Sequence, residues 1–587
     1  MKVEKFKLFK KAVCAGVAFA FCVSFGAETY CPKTRYLDFM QESVGAYTDE
    51  ILTDYINDVE KRGIWEHGYA RLASNLGILL AHGREKEKKE VVKRLMDFCC
   101  KDMPTAMSRN GHRVGNDFGI KEIVSCIIEL EKAKVFPQET IDGWKKNLSE
   151  ATPDTLYSCR PSAKSPQAHN WAVFGAASEQ SRVFLGINGD KDYVEKYISD
   201  QLRFFDENGM YMDPNQPAVY DLVTRLQFAV AMHFGYDGPS RPKLEETMLK
   251  SAPITLNLLS ASGEIPYGGR SNQFLHNDSL YVALCEFYAT WMKSRGDTEA
   301  ASKFKGAAKK AADALEMRFK DKPFNHVKNF FPLESKYGCE GYAYFLKYMV
   351  TAGSWSYLAY LFADDSIKCA EPQNHAFACN TSPAFHWTFL KAGDYSAQFD
   401  LNAFTNYDAS GLGRIQRKGA PATICLSVPF AKTPKYGINI TNDSGFAIFP
   451  VWSHNKKKFD AETMLQSKTW TGDGKASSEV CVLRNPLPPL VWTTTLGEKG
   501  AEIELKGTGS IGLAFPVFLF DGKTETDIKV ENNSVSVFYK GWVCKYETDG
   551  NISDTGRVYG NRNGHYKRFE AKASNVMKMT VTIERAD

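Results

Sequence analysis

The sequence predicts a multidomain α+β protein, an N-terminal (α/α) toroid of helical hairpins followed by an antiparallel β-sandwich. Two observations predict it. Up to about residue 390, apolar residues recur every three to four positions, as in Ile123, Cys126, Ile127 and Leu130, the spacing of one helix face. After Gln398 the runs become short and alternating, and clusters such as Asp549-Gly550-Asn551 divide them, which is the pattern of strands and turns. A chain of 587 residues is also too long for one ordinary core, so more than one domain is expected.

The chain opens with Lys2, Lys5, Lys7, Lys10 and Lys11, then an apolar run from Ala12 to Phe25. A basic start, a short apolar stretch and the small residues Gly26-Ala27 read as a secretory leader over 1–27, too short for a comfortable membrane span. About eleven helices follow within 28–390: 50–62, 69–81, 89–99, 121–133, 171–185, 192–205, 218–233, 244–260, 279–294, 298–319 and 341–363. Connectors such as Gly186-Ile187-Asn188-Gly189-Asp190 and Gly238-Pro239 separate them. So many helices in antiparallel succession predict hairpins closed into a ring rather than a four-helix bundle. Within 391–587, the runs 422–428, 446–452, 510–520, 534–546 and 578–583 read as strands of a sandwich packed on the helical part. Gly522-Lys523-Thr524 lacks the preceding glycine of a phosphate loop and reads as a β-turn.

The formal charge of +4 comes from the leader. With its five Lys and one Glu removed, 68 basic residues face 68 acidic ones, and nothing in that balance points to nucleic acid or an anionic membrane. An acidic partner must be met by a local cluster. Two of the fourteen Cys, Cys14 and Cys22, lie in the leader, and the rest are scattered without zinc-ribbon or disulfide-framework spacing. An exported protein, periplasmic or extracellular, with no membrane span after leader removal is the expectation.

Two segments carry the chemistry: Gln167-Ala168-His169-Asn170-Trp171 and Pro266-Tyr267-Gly268-Gly269-Arg270-Ser271-Asn272-Gln273-Phe274-Leu275-His276-Asn277-Asp278. Both sit where helical periodicity hands over to a loop. Amides suit hydroxyls, Arg suits a carboxylate, and aromatics suit a sugar face, so the mixture fits a pocket for a polyhydroxylated anion. It is poor core material, because buried polar groups need partners. A third cluster, Tyr337-Gly338-Cys339-Glu340-Gly341-Tyr342, is expected to open a helix and line the same cleft. His112-Arg113, with Asn116-Asp117, has similar standing.

With these residues in view, the chain resembles the chondroitin/hyaluronan, alginate and heparinase II/III-like polysaccharide lyases, whose architecture is an α/α toroid followed by a β-sandwich. His169-Asn170-Trp171, with Gly175 and Arg182 behind it, is similar to their Asn-containing segment. Asn208-Gly209-Met210-Tyr211-Met212-Asp213, followed by Tyr220, is similar to their turn and downstream catalytic Tyr, although Asp213-Pro214 stands where the hyaluronan-type enzymes carry a His. Gly269-Arg270-Ser271 also resembles segments of α/α-toroid glucuronidases. The resemblance implies cleavage of a uronate polymer by removal of the C5 proton and expulsion of the C4-linked sugar. That proton is weakly acidic until the adjacent carboxylate is neutralised. Asn170 and Arg270 suit neutralisation, and His169, Tyr220 and His276 suit proton transfer. Trp171, Tyr211, Tyr267, Gln273, Glu340 and Tyr342 are read as substrate-binding. No dense carboxylate cluster with metal-ligand spacing appears, so no metal or other cofactor is required, and a divalent cation is not excluded.

The expected partner is an acidic polysaccharide or oligosaccharide. Two other function classes stand beside the lyase. A glycoside hydrolase on the same toroid needs two carboxylates across one bond, drawn from Asp117, Asp213, Asp221, Asp278 and Glu340. A non-catalytic glycan-binding protein keeps the aromatics and Arg270 and tolerates loss of Tyr220 and His276.

Overall fold

A computed structural model describes residues 30–105, 115–158, 167–404, 407–425 and 446–586. The leader and His112-Arg113 lie outside them. Six helices, Gly68–Ala81, Gly115–Lys132, Asn170–Leu185, Ala218–His233, Leu275–Ser294 and Phe345–Phe362, form a closed inner ring. Each packs on the next, and Phe345–Phe362 packs back on Gly68–Ala81. Outer helices cover them: Thr34–Gly45 on Phe345–Phe362, Lys89–Asp102 on Gly68–Ala81, Lys191–Gln201 on Asn170–Leu185, and Thr298–Lys320 on Leu275–Ser294.

Inner helices are covered on all sides, so they bury nearly every residue; Gly68–Ala81 is buried from Gly68 through Leu80. Charges inside such helices must be paired. Arg182 meets Glu179 at 2.9 Å, Arg225 meets Asp221 at 2.6 Å, and Lys305 meets Glu286 at 2.9 Å. Capping sets the ends. Asp190 accepts from Tyr193 N at 3.0 Å and Asp297 from Ala300 N at 2.9 Å, and Gly186 ends the Asn170 helix at φ 73°.

The strands build two antiparallel sheets. Phe377–Asn380, Trp387–Ala392, Tyr395–Asp400 and Gly411–Arg417 form a 4-stranded meander. An 11-stranded sheet is organised on the long pair Gly500–Phe520 and Gly564–Arg585, which runs from Ala501 opposite Val581 to Phe520 opposite His565 with register shifts between Lys506 and Ser510 and between Phe518 and Phe520. The two sheets share a core, where Phe399 meets Trp492 at 5.3 Å between ring centroids and Tyr395 OH donates to Ile583 O at 2.8 Å. The small sheet also faces the toroid, since Trp387 and Phe389 belong to the helical core. Arg414 donates to Ile265 O at 2.8 Å across this junction.

Several elements differ from the sequence reading. Strands begin at Phe377 rather than after 390, because Trp387–Ala392 is buried at every position and shows no alternation. Ala422–Cys425 is a 3-10 turn, not a strand, and 426–428 lie outside the described residues. The run 534–546 is a hairpin, Ser534–Tyr539 and Trp542–Thr548, turned by Lys540 (φ 48°) and Gly541 (φ 76°). Helices Thr34–Gly45, Gln138–Ser149 and Pro153–Leu156 were not anticipated. The turn at Gly522 is as read, with Asp521 accepting from Lys523 N at 2.7 Å and Thr524 N at 2.6 Å. Among the described residues, Cys99, Cys100, Cys126 and Cys285 are buried free thiols, and no helix is long and apolar enough to cross a membrane.

Removing one partner of a buried pair strands the other's charge. Glu286→Ala, which leaves Lys305 unpaired in the core, should therefore lower stability by about 3–5 kcal/mol. Glu246→Ala, from an exposed pair with Lys243, should cost less than about 0.5 kcal/mol. Denaturant midpoints compare the two, and equal losses would refute this account of the inner ring.

Candidate active site

A cavity of about 530 Å³ opens at one end of the ring. Each of the six inner helices contributes from its N-terminal half: Arg71, Phe118, Asn170, Tyr220, His276 and Lys347 all line it. Six helix starts therefore surround one space, and their dipoles favour an anion there.

Asp213 organises one wall. It follows a tight turn in which Asp206 accepts from Asn208 N at 2.9 Å and Met210 N at 2.7 Å. Gly209 (φ 74°) is required there, since a Cβ would lie 2.7 Å from Ser251 N. The Asp213 carboxylate accepts from the Asn170 side-chain amide at 3.0 Å and from Asn170 N at 3.2 Å, and it pairs with Arg270. Arg270 also donates to Pro214 O at 3.1 Å, and its guanidinium lies 4.3 Å from the Tyr220 ring centroid. Burial raises the Asp213 carboxyl pKa, opposed by the Asn170 hydrogen bond and the Arg270 charge.

Ser271 links the adjacent tyrosines. Its hydroxyl lies 3.1 Å from Tyr220 OH and 2.6 Å from Tyr342 OH. The left-handed backbone of Ser271 (φ 58°) is held by its N–H, which donates to Glu340 at 2.7 Å, and Glu340 is paired with Arg562 from the sandwich. Burial, reinforced by Tyr220 and Glu340, pushes the Tyr342 phenol far up, so Tyr342 stays protonated.

Three histidines line the cavity, and burial lowers the pKa of each. His67 accepts at Nδ1 from Arg71 at 2.6 Å, so its proton is on Nε2. For His276 the neighbouring amide decides the tautomer. Asn277 Oδ1 accepts from Phe274 N at 2.7 Å, which turns Asn277 Nδ2 toward His276 Nε2 at 3.2 Å. His276 Nε2 is thus the acceptor and Nδ1 carries the proton, with no partner among the described residues. Neutral His276 thus keeps its proton on Nδ1. His169 Nδ1 is also buried without a partner among the described residues. Its pKa is lowered by burial, raised by Asp213 and lowered by Arg270.

Of the sequence-predicted residues, His169, Asn170, Trp171, Tyr220, Arg270, His276 and Tyr342 converge on this cavity. Tyr211, Tyr267, Gln273 and Glu340 do not line it. Tyr211 is fully buried, donating to Gln201 at 2.5 Å and accepting from His169 N at 2.7 Å. Tyr267 bonds Asn563, Gln273 donates to Asn272 at 2.8 Å, and Glu340 stands behind Ser271. These four support the wall. The helix expected to open at Gly341 begins at Phe345, so Tyr342 sits on a loop. The sequence reading missed His67, Arg71, Lys347, Tyr348 and Trp355. Arg71 had one signal, a lone charge in an otherwise apolar and polar-neutral helix. Among the described residues, no group of three or more His, Cys, Asp or Glu gathers as a metal site.

No protein-family model matches the chain, and no curated protein does. Among solved structures, the chain is similar to heparinase III at 11% identity and TM-score 0.36, covering 80% of this chain and 78% of that one. It is similar to a family 88 glycosyl hydrolase from Bacteroides vulgatus at 10% identity and TM-score 0.37, over 57% of this chain and 100% of that one. It is also similar to a family 127 β-L-arabinofuranosidase from Geobacillus stearothermophilus T6 at 9% identity and TM-score 0.36, over 94% and 81%.

Because Asp213 is the charge that raises the His169 pKa, Asp213→Asn should lower the His169 titration midpoint further. Proton NMR of the imidazole checks this, and an unchanged or higher midpoint would show that Asp213 does not act on His169.

Proposed function

We propose that the chain is an exported polysaccharide lyase that cleaves a uronic-acid-containing glycan by β-elimination across C4 and C5 of the uronate. The charge of the cavity is the observation that supports this best. Arg71, Arg270 and Lys347 face a single lining carboxylate among the described residues, Asp213, and that one is tied to Arg270 and Asn170. An anionic sugar is favoured, and hydrolysis is short of its second carboxylate. The other carboxylates weighed for hydrolysis are engaged elsewhere. Asp117 accepts from Ser158 N at 3.1 Å, Asp221 pairs with Arg225, Asp278 with Lys328, and Glu340 with Arg562.

In this reading Asp213 aims Arg270 and the free N–H of Asn170 at the uronate carboxylate, which acidifies C5–H. Neutral His169 takes the C5 proton as the C4–O bond breaks and the C4–C5 double bond forms. Tyr220 protonates the leaving oxygen and regains its proton from solvent, while Ser271 and the protonated Tyr342 hold its hydroxyl in place. His276 stays neutral in the cavity wall, and Trp171 offers a face to the ring. The chemistry asks for no metal, since Arg270 and Asn170 supply the neutralising contacts. Export follows from the leader over 1–27.

Tyr220→Phe and His169→Ala should each lower turnover by about 10²-fold or more, as loss of proton transfer does, with folding retained. Arg270→Ala should harm both binding and rate, because its contact strengthens as charge builds. The product must absorb in the ultraviolet as a conjugated unsaturated uronate. A saturated product carrying one solvent oxygen would replace elimination by hydrolysis.

The active form of His169 is the neutral one, and burial lowers its pKa. The rate should therefore hold across neutral pH and fall on the acid side, below the ordinary His value near 6.5. A pH profile of kcat/KM with its acid limb at or above that value would exclude His169 as the base.

A further inference from the structure

We propose that Arg71, Lys347 and Tyr348 form a second anionic subsite in the same cavity, which takes a second acidic group of the glycan, a carboxylate or a sulfate ester on the sugar next to the uronate. The inference rests on the uronate reading for the sugar, but its charge argument stands independently.

Arg71 is buried between the rings of Phe118 and Trp355, at 6.0 and 5.7 Å. Its Nε reaches Glu122 at 3.4 Å, and Nη1 donates to His67 at 2.6 Å and Thr351 at 2.7 Å. Its Nη2 makes no hydrogen bond to a described residue, and the side chain lines the cavity. Glu122 is shared with Lys121 at 3.0 Å. Lys347, from the facing helix, also lines the cavity and forms no ion pair among the described residues. Its ammonium lies 5.6 Å from the Tyr348 ring and 5.8 Å from the Tyr344 ring. The nearest carboxylate influence on Lys347 is Glu66, already engaged by Tyr55 and by Gly68 N at 2.6 Å.

Two cations thus stand together with too little negative charge beside them. Lys347 has its pKa lowered by burial first and is lowered again by Arg71, so an anion between them relieves a real repulsion. The Arg270 group is separate: Arg270 sits on Asp213, Pro214 O and the Tyr220 ring, whereas Arg71 sits on Glu122, His67 and Thr351. A ligand with one acidic group satisfies one cluster. A ligand with two satisfies both, and the Arg71 cluster then selects for charge density along the glycan.

The test is calorimetric titration at low salt with four probes: an unsulfated uronate–hexosamine disaccharide, its singly sulfated counterpart, a diuronate disaccharide, and inorganic sulfate. The intact protein should bind at least one doubly acidic disaccharide about 10-fold or more tightly than the singly acidic one, the scale of a hydrogen bond to a charged group. Which one is preferred identifies the second acid. Lys347→Met should remove that preference, and Lys347→Arg should restore it. Lys347 is partly exposed, so its replacement is compatible with folding, which an unchanged Tm confirms. Equal binding of all three disaccharides, or a preference that survives Lys347→Met, overturns the subsite. Sulfate binding that depends on Lys347 without any disaccharide binding supports the anionic subsite and sinks the uronate reading. A preference intact in a preparation that forms no unsaturated product supports the subsite and removes elimination alone.

Discussion

The ring closes through a buried polar seam, and the cavity exists because it does. Helix Gly68–Ala81 meets helix Phe345–Phe362 although about 270 residues separate them in sequence. Arg71 donates to Thr351, Asn75 donates to Val350 O at 2.8 Å, and Ser354 donates to Asn75 at 3.1 Å. Apolar contact alone is non-directional and tolerates sliding. Hydrogen bonds between buried groups do not, because each one broken leaves an unsatisfied polar atom. The seam thus fixes the register of the last helix against the first. Register decides that Arg71 and Lys347 end up in one wall.

Asp213 acts on a smaller scale in the same way. One buried carboxylate holds a helix start through Asn170 and a loop through Arg270. Its partners keep free donors, so the pair remains able to meet a ligand's acid. The same carboxylate raises the basicity of His169 while Arg270 opposes it. Positioning and electrostatics are therefore set by a single group.

Much of this was legible in the chain. Helix Ala218–His233 matches its expected span, and the Asn170 and Leu275 helices start within a few residues of theirs, because apolar spacing and loop residues mark them locally. The convergence of Asn170, Arg270 and His276 was legible from their composition, since amide, Arg and His at helix starts are poor core material. What the sequence hid depends on distance or on burial of both faces. Trp387–Ala392 lacks alternation since both its faces are covered. Lys347 looks like any solvated helix Lys until ring closure places it beside Arg71. The proton on His276 Nδ1 is set by Asn277, whose orientation is set by Phe274 N, a chain of contacts that no spacing rule contains. Tyr211 and Tyr267 show the converse, since a Tyr suited to a sugar face is equally suited to a buried hydroxyl contact.

The turn Asn561–Gly564 reaches from the sandwich into the toroid wall. Asn561, Arg562 and Asn563 are 2%, 4% and 1% exposed, with Arg562 on Glu340, Asn563 on Tyr267, and Asn329 donating to Arg562 O at 2.8 Å. Glu340 in turn holds the backbone of Ser271, between the two tyrosines. The strand hairpin is thus a keystone rather than an appendage: lifting it out strands a buried arginine on one side and a buried glutamate on the other. The helical part and the strand part are therefore mechanically coupled, and a change in either alters the fit of the other.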